Sequence, residues 1–154
     1  MEPSFKHEEL TDLILRAFYQ VYNRLGYGFL EKVYENSLAV AARKLGLSVM
    51  QQYPIRVEFE GVVVGEYVAD LVFNGLVIVE VKALKSLLAE HDAQLLNYLK
   101  ATDFEVGLLL NFGPQPECRR KVYDNARKKM AHGPTQTHTD HPICKSGPIR
   151  RFPA

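Results

Sequence analysis

The stretch Leu71–Lys82, LVFNGLVIVEVK, restricts the fold of this chain more than any other segment. Residues 76–79 form an unbroken apolar run, which is typical of a strand buried on both faces of a sheet. Glu80 and Lys82 then interrupt the run two positions apart, so both side chains project from one face of that strand. An acid and a base side by side on a buried strand indicate that this strand has a chemical role.

The Asn74-Gly75 turn decides whether Asp70 faces Glu80. A strict two-residue hairpin loop would place the two carboxylates on opposite faces of the sheet. A three-residue loop over 73–75, with the glycine in the left-handed conformation of a bulge, places Asp70 on the face of Glu80 and diagonal to it. We expect the three-residue loop.

The order of the predicted elements indicates a mixed α/β fold. Apolar periodicity predicts helices over 9–25, 29–45 and 87–101, strands between 49 and 83, a strand over 105–113 and a charged helix over 116–130. Because turns rather than helices join the first strands, we expect a small central mixed sheet. It would combine an antiparallel hairpin set with one later strand, flanked by helices. The basic residues of the last helix would form a solvated face.

Length and composition favour one domain. The 154 residues suffice for a single core, and we assign residues 1–130 to it. From Ala131 to Ala154 the chain is rich in Pro, His, Thr and Gly without periodicity, which predicts a disordered tail.

Charge and cysteine content exclude several classes of protein. A formal net charge of +1 argues against a polybasic protein, although a local basic patch for nucleic acid remains compatible with it. Two cysteines are too few for a disulfide framework. No apolar run approaches the ~18 residues of a membrane span, and the first residues lack the pattern of a signal peptide. We therefore expect a cytoplasmic domain without a membrane partner.

Two carboxylates placed as close together as Asp70 and Glu80 would repel each other. At a separation of ~4 Å and an effective dielectric constant of about 20, the cost is on the order of 4 kcal/mol. Protonation, the neighbouring Lys82 or a divalent cation could offset this cost. Taken alone, Glu80 and Lys82 could also form an exposed ladder on a sheet edge, but the apolar residues around them argue against free access to water.

Three motifs together resemble a known superfamily. Asp70, Glu80 and Lys82 form the pattern D-x₉-E-V-K, although no proline precedes the aspartate. Residues 28–34, GFLEKVY, match G-x-x-E-x-x-Y, and residues 94–98 match Q-x-x-x-Y. In this order and spacing, residues 9–113 resemble the GxxExxY protein family within the PD-(D/E)XK nuclease-like superfamily.

The resemblance implies a metal site at the end of the buried strand. Asp70 and Glu80 would be both metal ligands and catalytic residues, and the carbonyl group of Val81 would assist them. Lys82 would be the catalytic lysine. Mg²⁺, with Mn²⁺ as an alternative, is the ion expected for oxygen ligands of this kind.

The resemblance also assigns residues on two helices. A helix glutamate would complete the metal site, either Glu31 or Glu35, which lie four positions apart on one helical face. The sequence does not choose between them. Gln94 and Tyr98, one helical turn apart, would contact the nucleic-acid backbone, with His91 on the same side.

These assignments predict a Mg²⁺-dependent nuclease that hydrolyses phosphodiester bonds, with DNA as the expected substrate, by metal-activated water and a catalytic lysine. The alternative is a catalytically silent nucleic-acid-binding or protein-interaction module that keeps the nuclease fold. The sequence leaves the oligomeric state open, a homodimer included. It also leaves open the form of the substrate.

Overall fold

The computed structural model of the chain describes residues 5–129. Its elements are α1 (Glu8–Leu25), α2 (Glu31–Lys44), β1 (Val49–Phe59), β2 (Val62–Phe73), β3 (Val77–Lys82), α3 (Ala89–Ala101), β4 (Val106–Phe112), β5 (Pro116–Val122) and α4 (Asn125–Lys129). The five strands form one sheet in the order β1-β2-β3-β4-β5. Strands β3 and β4 are parallel and the other neighbours are antiparallel, so the predicted mixed α/β class is confirmed. The predicted tail from Ala131 to Ala154 lies outside the described residues.

The sheet lies between two helical layers, with α1 and α2 on one face and α3 on the other. Val77, Val79 and Val81 of β3 pack into the core shared with α1 and α2. Ile78 packs with the α3 side. Residues 77–81 of β3 are buried throughout, as the apolar run predicts. Because side chains alternate along a strand, Glu80 and Lys82 project to the face of Ile78.

The hairpin between β2 and β3 has the predicted odd loop, one residue further along the chain. Phe73 pairs with Val77, so the loop consists of residues 74–76 rather than 73–75. Asn74 and Gly75 both have left-handed φ angles of 52° and 64°, and the Leu76 N–H closes the turn on the Phe73 carbonyl at 2.9 Å. Burial of the Phe73 side chain in the core retains this residue in β2. Asp70 therefore lies opposite Glu80 rather than diagonal to it.

The prediction of a charged helix over 116–130 is wrong for most of its length. Residues 116–122 form β5, which pairs antiparallel with β4, and only residues 125–129 are helical. The basic run is not a solvated face either, because Arg120 and Lys121 are 2% and 5% exposed. Arg120 donates to the Lys6 carbonyl, and Lys121 pairs with Asp92. Partners far away in the sequence satisfy these charges and allow their burial on a strand.

The three other predicted helices lie within two residues of the observed ones. None of the helices in residues 5–129 combines the length and apolarity needed to span a membrane.

Candidate active site

Strands β2 and β3 separate at the two acidic residues. Their pairing ends with Leu71 opposite Val79. At the next position the Asp70 N–H donates to Glu80 Oε1 at 3.3 Å, and the Val81 N–H donates to Asp70 Oδ2 at 2.8 Å. The carboxylates thus accept main-chain N–H groups at the point where the ladder ends. The site lies in the opening between the two strands.

The two carboxyl groups share a buried, like-charged environment. Glu80 is 5% exposed, and burial followed by the charge of Asp70 raises the pKa of Glu80 to about 8. Burial also raises the pKa of Asp70, and the charge of Glu35 adds to this rise, while the bond from the Val81 N–H opposes it. The two carboxyl groups are close enough for a hydrogen bond when one of them is protonated. At neutral pH a proton is therefore retained between them, which is one of the three ways of offsetting their repulsion.

Lys82 supplies the positive charge of the site. Its side chain follows Glu80 on the same face of β3, and its charge opposes the rise in the pKa values of Asp70, Glu80 and Glu31. Among residues 5–129, its ammonium group has no hydrogen-bond or ion-pair partner. The cation is thus close to the carboxyl pair and free to meet a further negative group.

Both helix glutamates act on the carboxyl pair electrostatically. The charge of Glu35 raises the pKa of Asp70. Burial raises the pKa of Glu31, Lys82 opposes this rise, and the charges of Asp70 and Glu35 add to it. The two residues differ in environment, because Glu35 is 3% exposed whereas Glu31 is exposed at the first position of α2. Of the two helix glutamates, Glu31 is the one that presents its carboxylate to solvent.

Three donors occupy the Glu35 carboxylate. Lys32 Nζ donates at 2.9 Å, Gln51 Nε2 at 2.6 Å and Gln52 Nε2 at 2.7 Å. Gln52 has a φ angle of +54°, which is unusual for a residue with a side chain. In the pairing of β1 with β2, Gln51 lies opposite Leu71 and Tyr53 lies opposite Ala69. Gln52, between them, is left without a partner at the position across from Asp70. The two glutamines were not predicted as site residues, since only an irregular strand brings both to one carboxylate.

Tyr34, the last residue of the G-x-x-E-x-x-Y motif, is structural, as expected for a buried aromatic. It is fully buried and stacks on Phe112 with a centroid distance of 4.3 Å. Its hydroxyl group donates to the Gly26 carbonyl at 2.8 Å and accepts from the Phe29 N–H at 3.2 Å. Tyr34 thereby fixes the loop before α2, and this loop places Glu31 at the start of the helix.

Gln94 and Tyr98 of the Q-x-x-x-Y motif form a pair beside the carboxylates. Gln94 Nε2 donates to the Tyr98 hydroxyl group at 2.8 Å. Burial raises the pKa of Tyr98, and the charges of Glu80 and Asp70 add to this rise. His91 has a local role, because its Nδ1 accepts from the Leu88 N–H at 3.0 Å and so caps α3. Its predicted contact with nucleic acid stays a prediction.

Asn111 and Gly113 fix the segment that follows Lys82. Asn111 of β4 lies beside Lys82 in the sheet. Its side chain accepts from the Leu84 N–H at 2.8 Å and donates to the Leu84 carbonyl at 3.0 Å. A Cβ atom at Gly113 would lie 2.2 Å from that carbonyl oxygen, so only glycine fits. The signal for Asn111 in the sequence is a single polar residue within the apolar run of residues 105–113.

The donor set fits a hard cation. The side-chain atoms that could coordinate a cation between β2 and β3 are the carboxylate oxygens of Asp70 and Glu80, and Mg²⁺ and Mn²⁺ prefer oxygen ligands of this kind. Within residues 5–129, no group of three or more His, Cys, Asp or Glu side chains is arranged to hold a metal ion. Mg²⁺ usually binds through one or two carboxylates and keeps several waters. A pair of carboxyl groups such as Asp70 and Glu80 is compatible with this number of ligands.

Comparison with known families identifies the class of this protein. The family model of the PD-(D/E)XK nuclease superfamily matches residues 8–122, more than half of the chain. The chain belongs to this superfamily. Searches of curated proteins and of solved structures gave no significant match.

Proposed function

We propose that this protein is a divalent-metal-dependent nuclease of the GxxExxY branch that hydrolyses phosphodiester bonds in DNA. The observation on which this proposal depends is the pairing of half-buried Asp70 with buried Glu80, with Lys82 on the same face of β3. Two carboxyl groups that hold a proton between them become a ligand pair when a cation replaces that proton. A nuclease superfamily domain with this pair intact supports turnover rather than loss of function.

Mg²⁺ is the preferred ion, held by Asp70, Glu80 and the carbonyl group of Val81. When bound, it would act as a Lewis acid on the phosphate and lower the pKa of a water molecule. Glu31 is favoured over Glu35 as the assisting helix carboxylate, because three donors already occupy Glu35. Glu35 then keeps a negative charge in the second layer around the ligands.

The remaining groups position and stabilise the phosphate. The Lys82 ammonium group would stabilise negative charge that develops on the phosphate oxygens. Because Gln94 donates to the Tyr98 oxygen, the hydroxyl proton of Tyr98 is free to be donated to a phosphate oxygen. These two contacts come from β3 and from α3, which packs on the face of the sheet that holds Ile78.

Removing the lysine tests this assignment. With labelled DNA and Mg²⁺ or Mn²⁺, Lys82→Ala should reduce the rate of cleavage about 100-fold or more. Metal affinity, measured by calorimetry, should persist or increase, since a competing charge is removed. Lys44→Ala is the matched control, because Lys44 is an exposed lysine in the last turn of α2.

Two results would contradict the proposal. Cleavage by Lys82→Ala at the parent rate under saturating Mg²⁺ would show that the lysine is not catalytic. If the parent binds DNA but cuts none of a panel of single strands, duplex ends, junctions and RNA, the protein is a silent binding module instead.

A further inference from the structure

A second feature lies next to the carboxylates, between α3 and the outer part of the β1–β2 hairpin. A cleft of about 840 Å³ opens there. Its polar and aromatic lining residues include Arg56, Tyr67, Gln94, Asn97, Tyr98 and Lys100. Gln94 and Tyr98 connect this cleft to the active site, because the charges of Glu80 and Asp70 act on Tyr98. A ligand that fills the cleft would therefore reach the catalytic groups.

Tyr67 is the aromatic surface of the cleft. It is 48% exposed, although its ring lies 5.8 Å from that of Tyr98 at an angle of 47°. A Cβ atom at Gly65 would lie 3.3 Å from Tyr67 Cε2, so glycine leaves room for the ring to lie over the strand. Two neighbours thus support the ring, and it still presents a large apolar surface to the cleft.

The charges of the cleft are balanced. Arg56 and Lys100 provide two cations, and Glu58 and Glu90 provide two anions among the lining residues. Arg56 forms only a long ion pair, with Glu66 at 4.0 Å, and both side chains are largely exposed, so the pair contributes little energy. Its guanidinium group is therefore free to turn towards a phosphate. Two cations allow about two phosphate contacts, far fewer than a protein makes along a duplex.

From this geometry we infer that the cleft binds unpaired nucleotides of single-stranded DNA, with a base stacked on Tyr67. This inference rests on the proposed nuclease function and adds the form of its substrate. A stacking ring needs a free base face, which a duplex covers with the neighbouring base pairs. A space of this volume takes a ligand of drug size, and so a few nucleotides rather than a length of duplex. The amide groups of Gln94 and Asn97 can donate to bases or phosphates.

The test is binding in the Lys82→Ala background, where cleavage does not interfere. Fluorescence anisotropy would compare labelled oligothymidylate, a duplex of equal length and oligouridylate. Adding Tyr67→Ala should raise the Kd for oligothymidylate roughly 5- to 150-fold, the range for loss of one stacked base, and Tyr67→Phe should stay near the parent value. Val68→Ala is the matched control, because Val68 is equally exposed, at 48%, on the opposite face of β2.

Salt dependence gives an independent readout. With about two phosphate contacts on a single strand, a plot of log affinity against log salt should have a slope near −1.4. A duplex held by about six contacts would give a slope steeper than about −5.

Three outcomes would overturn the inference. These are equal affinity for duplex and single strand, an unchanged Kd in Tyr67→Ala, and tight binding of oligouridylate alone. Failure of the nuclease proposal has a different signature, since the parent would then cleave nothing while the dependence of binding on Tyr67 remained measurable.

Discussion

Two clusters of buried charge in this protein are built in opposite ways. In one, Asp92 of α3 pairs with Arg119 and Lys121 of β5, so that opposite charges meet. In the other, Asp70 and Glu80 place like charges against each other, and burial raises the pKa of both. The first cluster attaches α3 to the sheet. The second cluster contains no such ion pair to stabilise the folded state.

The difference separates a structural site from a functional one. Opposite charges that satisfy each other lower the free energy of the folded protein relative to a single unpaired charge. A like-charged pair raises it, and such pairs concentrate where a ligand or a reaction requires them. The Asp70–Glu80 cluster is therefore the one whose removal should stabilise the fold and abolish activity.

The largest expected effect is on activity, in Asp70→Asn. The amide oxygen can still accept from the Val81 N–H, so the local structure should persist, while a charged oxygen ligand is lost. DNA cleavage should fall about 1,000-fold or more, with weaker Mg²⁺ binding by calorimetry. Without metal, the melting temperature should rise, because the neutral amide removes the partly buried Asp70 charge, which itself raises the pKa of Glu80.

Lys82→Ala provides the contrast for Asp70→Asn, since it should lose turnover and keep the metal. If Asp70→Asn binds Mg²⁺ as tightly as the parent, Asp70 is not a ligand. If Asp70→Asn has a lower melting temperature than the parent without metal, the Asp70–Glu80 pair stabilises the fold, as the Asp92 cluster does.

The next effect is on stability, in Asp92→Asn. The change leaves Lys121, only 6% exposed in its side chain, without its counter-charge. We expect the free energy of unfolding to fall by about 2–4 kcal/mol in urea titrations, because an unpaired buried charge is costly. Cleavage per folded molecule should change less than about threefold well below the melting temperature.

The double variant Asp92→Asn, Lys121→Met is the control for that loss. Removal of both charges should recover part of the stability, since the buried ammonium group is gone. A double variant no more stable than Asp92→Asn alone would show that burial of the Lys121 charge is not the cause.

These two clusters also show which parts of the fold were predictable. Local patterns predicted the three long helices, the odd loop and the shared face of Asp70 and Glu80, because apolar periodicity and turn residues act over a few positions. Strand β5 was missed because its charges suggested a solvated helix. Lys121 is buried on this strand, and Arg119 is half-buried beside it, only because Asp92, 27 residues before Arg119, neutralises them.

The candidate site was predictable where motif residues are close in sequence. Asp70, Glu80 and Lys82 lie on one hairpin, so their proximity follows from its register. The hydrogen bonds of Asn111 to Leu84 and of Gln52 to Glu35 join residues 27 and 17 positions apart. No local pattern encodes such pairs, because they depend on how the sheet and helices pack. Tyr67 was missed for the same reason.

The smallest expected effect is the pH dependence of stability in Glu80→Gln, measured without metal. The pKa of Glu80 is raised to about 8 in the folded protein, so the folded state holds a proton that the unfolded state releases above pH ~4.5. The stability of the parent should therefore be greatest, for this group, below pH ~4.5 and should decline as the pH rises to about 8. Glutamine does not titrate, so the variant should gain on the parent over this range, and the gain should be greatest at its upper end. Mg²⁺ should reverse the trend in the parent, because the ion replaces the proton more readily as the pH rises. A constant difference between parent and variant from pH 5 to pH 8 would mean that Glu80 is ionised throughout, and the carboxyl pair would then hold no proton.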